Sequence, residues 1–128
     1  MIFDFLKKRL RSFPYAFAGI SELWRKEKNT RIHMFFTVLV IAAAFILKVS
    51  KDEFCILVLT IGCVWTAETF NTAVERVVDL VTLERKPLAK AAKDLAAGAV
   101  LILAISSVVI GLVIFLPKIY HLIVLNFS

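Results

Sequence analysis

Three stretches of this chain carry no charge: Met34–Leu47, Phe54–Ala67 and Leu95–Pro117, of 14, 14 and 23 residues. A helix needs about 20 apolar residues to cross the hydrocarbon core of a bilayer, so the third stretch spans unaided. The first reaches that length with Ile32, His33, Lys48 and Val49, whose polar members can snorkel to the interface. The second continues beyond Ala67 through Glu68-Thr-Phe-Asn-Thr-Ala-Val-Glu-Arg-Val-Val-Asp79 with no Gly or Pro to stop it. The expectation is one all-α integral membrane domain over 1–128. It comprises an interfacial amphipathic helix at 1–30, spans at 32–49, 52–83 (with a cytoplasmic extension) and 90–117, and a tail at 118–128. Composition agrees. At 60% hydrophobic the chain exceeds the roughly 45–50% usual for a soluble domain, and its 20% charged residues argue against disorder.

The formal net charge of +6 has a position as well as a sign. Residues 1–31 hold eight Lys/Arg, and residues 68–94 hold five. The opposite side keeps three, Lys48, Lys51 and Lys118. The positive-inside rule then puts the N-terminus and the 84–93 loop in the cytoplasm, and the 48–53 turn and the C-terminus outside. No nucleic-acid motif accompanies the basic excess, so no nucleic-acid partner is expected. Ile2, Leu6, Leu10, Phe13, Phe17, Ile20 and Trp24 recur at helical spacing opposite Lys7, Lys8, Arg9 and Arg11, the pattern of a helix lying on an anionic leaflet. Pro14 is expected to begin a second helical piece, capped by Ser12 or Phe13. A signal peptide is the worse reading, because its apolar core would begin only at Met34. Cys55 and Cys63, eight apart on an apolar helix, read as packing residues.

The anomaly is a polar stripe inside that greasy sequence. Glu68, Asn71, Glu75 and Asp79, at offsets of three, four and four, fall within an arc of about 80° on one helix face. Counted from Phe54, Glu68 lies ~21 Å along the helix, still within hydrocarbon, and Glu75 ~10 Å further, where headgroups begin. An intramembrane carboxylate is costly and marks a functional site by default. Pairing with a neighbouring helix is the plain alternative, with Lys90 and Lys93 as available partners. The Asn between two Glu instead suits a cluster that orients a hydroxyl or a metal-bound water, and carboxylates at a water–lipid boundary suit Mg²⁺, which takes few protein oxygens.

Two further clusters face the same boundary: Glu27-Lys-Asn29-Thr-Arg31-Ile-His33 and Lys90-Ala-Ala-Lys93-Asp94. Interfacial snorkelling is the ordinary reading for Arg31, His33 and Lys90. His33 has no ligand-spaced partner. Lys93-Asp94 opens an uncharged span, which suggests a Lys for phosphate and an Asp for its placement. These groups suit phosphoryl transfer, which needs positioning, a metal, cations for the spreading charge and a base at the attacking hydroxyl. No nucleotide-binding motif is present, so the residues favour an interfacial metal-dependent enzyme without showing a nucleotide.

Glu68-x-x-Asn71-Thr-Ala-x-Glu75-x-x-x-Asp79 and the later Lys90-Ala-Ala-Lys93-Asp94-Leu-Ala-Ala-Gly98-Ala-Val-Leu closely resemble the two signatures of the small prokaryotic diacylglycerol kinase/undecaprenol kinase family. The likeness extends upstream through Ser12-Phe13, Tyr15-Ala16, Gly19 and Glu27-x-Asn29-x-Arg31-x-His33, and so covers nearly the whole chain. The resemblance implies an ATP- and Mg²⁺-dependent lipid kinase of the bacterial inner membrane. It also implies three spans, a surface helix and a homotrimer with sites shared between chains. By position it implies Glu68 as the base at the lipid hydroxyl, and Glu27 and Glu75 as the carboxylates holding the metal on ATP. Asn71, Lys93 and Asp94 then surround the phosphates. Asp79, Arg85 and Lys86 join the nucleotide contacts, and Arg31 and Trp65 join Glu68 at the lipid. Family members often read E-Y-H-P-L where this chain has Glu84-Arg-Lys-Pro87-Leu, which adds two cations to a cytoplasmic loop.

Both diacylglycerol and undecaprenol present a primary hydroxyl. The Asn29-x-Arg31-x-His33 and Pro87-Leu-Ala-Lys90 details resemble the polyprenol branch, so undecaprenol is expected. Two readings from other classes use the same acids: a small ion-coupled transporter and a non-catalytic membrane adaptor.

Overall fold

The computed structural model describes residues 10–26 and 28–127. Ile2, Leu6, Lys7, Lys8 and Arg9 of the expected surface helix, and the candidate ligand Glu27, lie outside the described residues. Four helices follow in order: α1 (Phe13–Lys26), α2 (Lys28–Ile46), α3 (Lys51–Val81) and α4 (Pro87–Phe127), with no strand among the described residues. Within them Asn29–Ile46, Lys51–Val81 and Pro87–Val124 are long and apolar enough to cross a membrane.

In α1, Pro14 sits in the first turn, where its missing N–H would be unpaired anyway. The Ala16 amide donates to the Ser12 carbonyl at 3.2 Å, which makes Ser12 the cap position. Leu10, Phe13, Phe17 and Ile20 of the apolar stripe are exposed on the chain. Leu23 is the α1 side chain buried among the helices, and Trp24 meets Trp65 of α3 with ring centroids 6.0 Å apart.

The α2–α3 turn is built from two interlocked caps. Lys48 takes a left-handed φ of 50°. The Val49 amide then donates to the Ala44 carbonyl at 3.1 Å and the Lys48 amide to Phe45 at 3.3 Å, the bond pair of a Schellman motif. Ser50 immediately caps α3: its hydroxyl accepts from the Glu53 amide at 3.2 Å, and its own amide donates to Glu53 Oε2 at 2.6 Å. Glu53 Oε2 also lies 2.9 Å from Lys118 Nζ, which ties the start of α3 to α4. Beside this turn sits the apolar cluster Ala44, Leu57 and Ile114, flanked by Val40, Val49, Phe54, Ile110 and Phe115.

At its other end α3 stops at Thr82, whose extended backbone leaves the helix and whose hydroxyl accepts from the Glu84 amide. Pro87 opens α4, the position where proline is favoured. This helix runs 41 residues and continues through Pro117 into 118–127, the stretch expected as a tail. Pro117 removes one helical N–H, but the residues around it supply neither a glycine nor a capping side chain to end the helix. Such prolines are tolerated in apolar helices. Along α3, Thr60, Thr66 and Thr69 return their hydroxyls to carbonyls one turn back at 2.7–2.8 Å, so these polar groups are satisfied without water.

Candidate active site

The polar stripe of α3 lies at the end of the bundle away from the apolar cluster, eleven residues or about 16 Å beyond Leu57. Glu68 is its deepest member, with only 4% of its side chain exposed. Across the helix pair His33 of α2 places Nε2 3.6 Å from Glu68 Oε2, with its own side chain 20% exposed. Thr30 and Thr72, one turn nearer the helix ends, are buried as well. The next turn of the stripe holds a second pair: Asn71 Nδ2 donates to Glu75 Oε1 at 3.1 Å. The carbonyl oxygen of Asn71 is buried and accepts no hydrogen bond. An oxygen held beside a carboxylate with nothing to bond is costly, and the two together are hard donors of the type a small divalent cation takes. Among the described residues no three His, Cys, Asp or Glu side chains converge for a metal. Asn71 Oδ1 and Glu75 would give a cation two protein oxygens.

Toward the α3 terminus the stripe turns to α4. Lys93 Nζ donates to Asp79 Oδ1 at 2.6 Å, the interhelical pairing that the sequence leaves open for Asp79. Asp94 pairs with Lys90 one turn back. Lys93 and Asp94, adjacent in sequence, are thus engaged with different partners. Both pairs are solvent-accessible. Arg85 is exposed on the α3–α4 loop, and Lys86 lies 3.4 Å from Glu84 there. Arg31 is exposed at the start of α2. Trp65, one turn above Glu68, donates its indole N–H to Thr37 Oγ1 at 3.0 Å, which fixes the ring against α2.

Above the buried acid, α2, α3 and α4 enclose a cavity of about 450 Å³. His33 and Trp65 stand among its lining residues, and its remaining walls are almost wholly apolar, with Phe36, Leu57, Val108 and Leu112 prominent. An apolar chamber in the membrane therefore borders the imidazole that touches Glu68.

The structure adds residues that the sequence alone does not single out as a site. His33 faces Glu68, Thr30 and Thr72 are buried one turn nearer the helix ends, and Arg76 pairs with Glu22 of α1 at 3.4 Å. The signal for His33 lies in the register of the α2–α3 hairpin. Facing residue numbers sum to 101 or 102 for His33 with Glu68 and for Thr37 with Trp65, so counting outward from the turn finds the partner.

A three-span helical membrane protein with a buried carboxylate at one end, flanked by Asn, Glu and two Lys–Asp pairs, defines a class of integral membrane proteins with an interfacial acidic site. Comparison with known proteins narrows it. The model of the prokaryotic diacylglycerol kinase family matches residues 14–115, and the chain belongs to that family. It is 45% identical over 113 residues to the undecaprenol kinase of Bacillus subtilis (strain 168), covering 88% of this chain and 92% of that one. It is 46% identical over 116 residues to a diacylglycerol kinase of Synechocystis sp., covering 90% of this chain and 66% of that one. A diacylglycerol kinase of Pseudomonas aeruginosa is 36% identical over 94 residues, covering 73% and 76%.

Proposed function

We propose that this protein transfers the γ-phosphate of ATP to the terminal primary hydroxyl of undecaprenol. Family membership makes the chain a membrane lipid kinase that draws on ATP. The choice of the polyprenol over diacylglycerol is supported by Asn29-x-Arg31-x-His33 and Pro87-Leu-Ala-Lys90, and by a likeness to the undecaprenol kinase over nearly the full length of both chains. The observation that carries this reading is the burial of Glu68 against His33, which lines the apolar cavity. A lipid lying in the membrane brings its hydroxyl to that depth, and water does not compete for the acceptor.

In this reading Glu68 accepts the hydroxyl proton as the oxygen attacks phosphorus. Asn71 holds Glu75 through its amide. Glu27 and Glu75 are the carboxylates that would hold Mg²⁺, which supplies charge neutralisation on the phosphate oxygens. Lys93 and Asp94 flank the phosphates, with Asp79 positioning Lys93. Arg85 and Lys86 offer the nucleotide two further cations from the α3–α4 loop. Arg31 and Trp65 hold the lipid, the first at its head and the second along its chain. The protein sits in the bacterial inner membrane with its N-terminus cytoplasmic and its C-terminus outside, as a homotrimer whose neighbouring chains share sites.

The test is a side-by-side assay of purified protein with ATP, Mg²⁺ and either undecaprenol or diacylglycerol in mixed micelles. The expected result is phosphorylated lipid from both, with the higher kcat/KM for undecaprenol. A preference for diacylglycerol overturns the substrate, and transfer to neither overturns the kinase.

A further inference from the structure

A base buried as Glu68 is has a problem that begins after the chemistry. Each turnover leaves it holding the hydroxyl proton, and its side chain has almost no surface from which to lose it. We propose that His33 carries that proton away: it is a positioning and relay residue that acts through Glu68 and not on the substrate. The inference rests on the reading of Glu68 as the base.

The geometry supports a relay more than a standing hydrogen bond. At 3.6 Å the Nε2–Oε2 separation exceeds the 2.7–3.2 Å of a hydrogen bond. Once Glu68 is protonated it becomes a donor and the pair can close. The steps balance. The lipid O–H bond breaks and its proton goes to Glu68. The oxygen pair forms the bond to γ-phosphorus, and the bond from γ-phosphorus to the bridging oxygen breaks with its pair left on ADP. The proton then passes from Glu68 to His33 Nε2, and from the imidazole, 20% exposed and five residues from the start of α2, to the membrane surface. An imidazole can accept a proton at one ring nitrogen and release one from the ring, as a relay requires.

The surroundings leave His33 as the acceptor. From α3 the titratable group facing it is Glu68. The stretch of α4 that lines the cavity beside it, Ala104–Ile119, brings only Lys118, which is held by Glu53 at the opposite end of the bundle. From α1, Glu22 is engaged with Arg76. On its own helix the nearest charge is exposed Arg31, a cation that accepts no proton.

The experiment compares wild type, His33→Gln and His33→Ala with Glu68→Gln, each assayed with both lipids across pH. Gln keeps a polar amide opposite Glu68 but cannot carry a proton. The relay predicts that H33Q lowers kcat on the order of tenfold to a hundredfold with KM for ATP and lipid little changed. The wild-type profile rises with pH because a protonated His33 cannot accept, and H33Q loses that limb. In H33A, added imidazole restores turnover in proportion to its neutral form. Wild-type kcat and profile in H33Q overturn the relay. So does a fall in kcat with the limb intact and no rescue by imidazole, which reduces His33 to packing. Failure of the base itself reads out separately, as turnover retained in Glu68→Gln, and a wrong substrate reads out in the wild-type lipid preference alone.

Discussion

Glu68, Asn71 and Glu75 divide one helix face into a proton acceptor and a pair of oxygen donors. Their environments separate the roles: Glu68 is sealed between α2 and α3, while Glu75 shares its carboxylate with the Asn71 amide nearer the helix end. Glu68→Gln preserves shape and hydrogen bonding but removes the acceptor. It is expected to lower kcat by about 10²–10⁴-fold while thermal unfolding in detergent changes little. Asn71→Leu removes both the bond to Glu75 and the unpartnered carbonyl. It is expected to raise the Mg²⁺ concentration needed for half-maximal activity, read by titrating Mg²⁺ at saturating ATP. The stripe itself is legible in the sequence, because spacing along one helix is local information. His33 is not legible in that way. Its partner lies 35 positions away, and only the register of the hairpin brings them together. The pairing of Asp79 with an α4 lysine is open to the sequence, which offers Lys90 and Lys93 alike, and the structure selects Lys93; Lys90 with Asp94 has the i,i+4 spacing of local information.

At the scale of elements, the turn between α2 and α3 joins two helices in four residues by overlapping their caps. The Schellman bonds end α2, and the Ser50–Glu53 box begins α3 with no spacer. Lys48 occupies the left-handed position that normally belongs to glycine. Lys48→Gly is expected to stabilise the protein by about 0.5–1 kcal/mol, and Ser50→Ala to destabilise it by about 1 kcal/mol, both measured as shifts in unfolding midpoint in detergent. The Ser-x-x-Glu spacing makes the start of α3 readable, and the structure begins that helix at Lys51, one residue before the expected Asp52. The course of α4 beyond Pro117 was not readable, because proline is a stop signal only where water or a capping side chain can take over the freed carbonyl.

At the scale of the whole molecule, the exposed apolar surfaces of α2, α3 and α4 make sense only against lipid or other chains. The proposed homotrimer with shared sites makes a direct prediction. Co-assembled Glu68→Gln and Glu75→Gln chains recover a measurable fraction of wild-type turnover if Glu68 of one chain works with Glu75 of a neighbour, and recover none if the two act from the same chain. The proposed orientation has its own check: a cysteine at Ser50 should react with an impermeant thiol reagent in intact cells, and one at Arg85 only after lysis, both in a chain lacking Cys55 and Cys63.

Two ion pairs described above also fix how this protein meets its membrane. Glu53–Lys118 and Asp79–Lys93 close the α3–α4 pair at opposite ends. They are separated by 26 residues on α3 and 25 on α4, about 39 and 38 Å of helix, against a hydrocarbon core of about 30 Å. The two rungs match in length, so a slide of one helix past the other by a single turn, about 5.4 Å, would break both at once. A bilayer of different thickness cannot be accommodated by shear within this pair. It must be met by leaning the whole framework, and a lean of about 20° shortens its projected height by only ~2 Å.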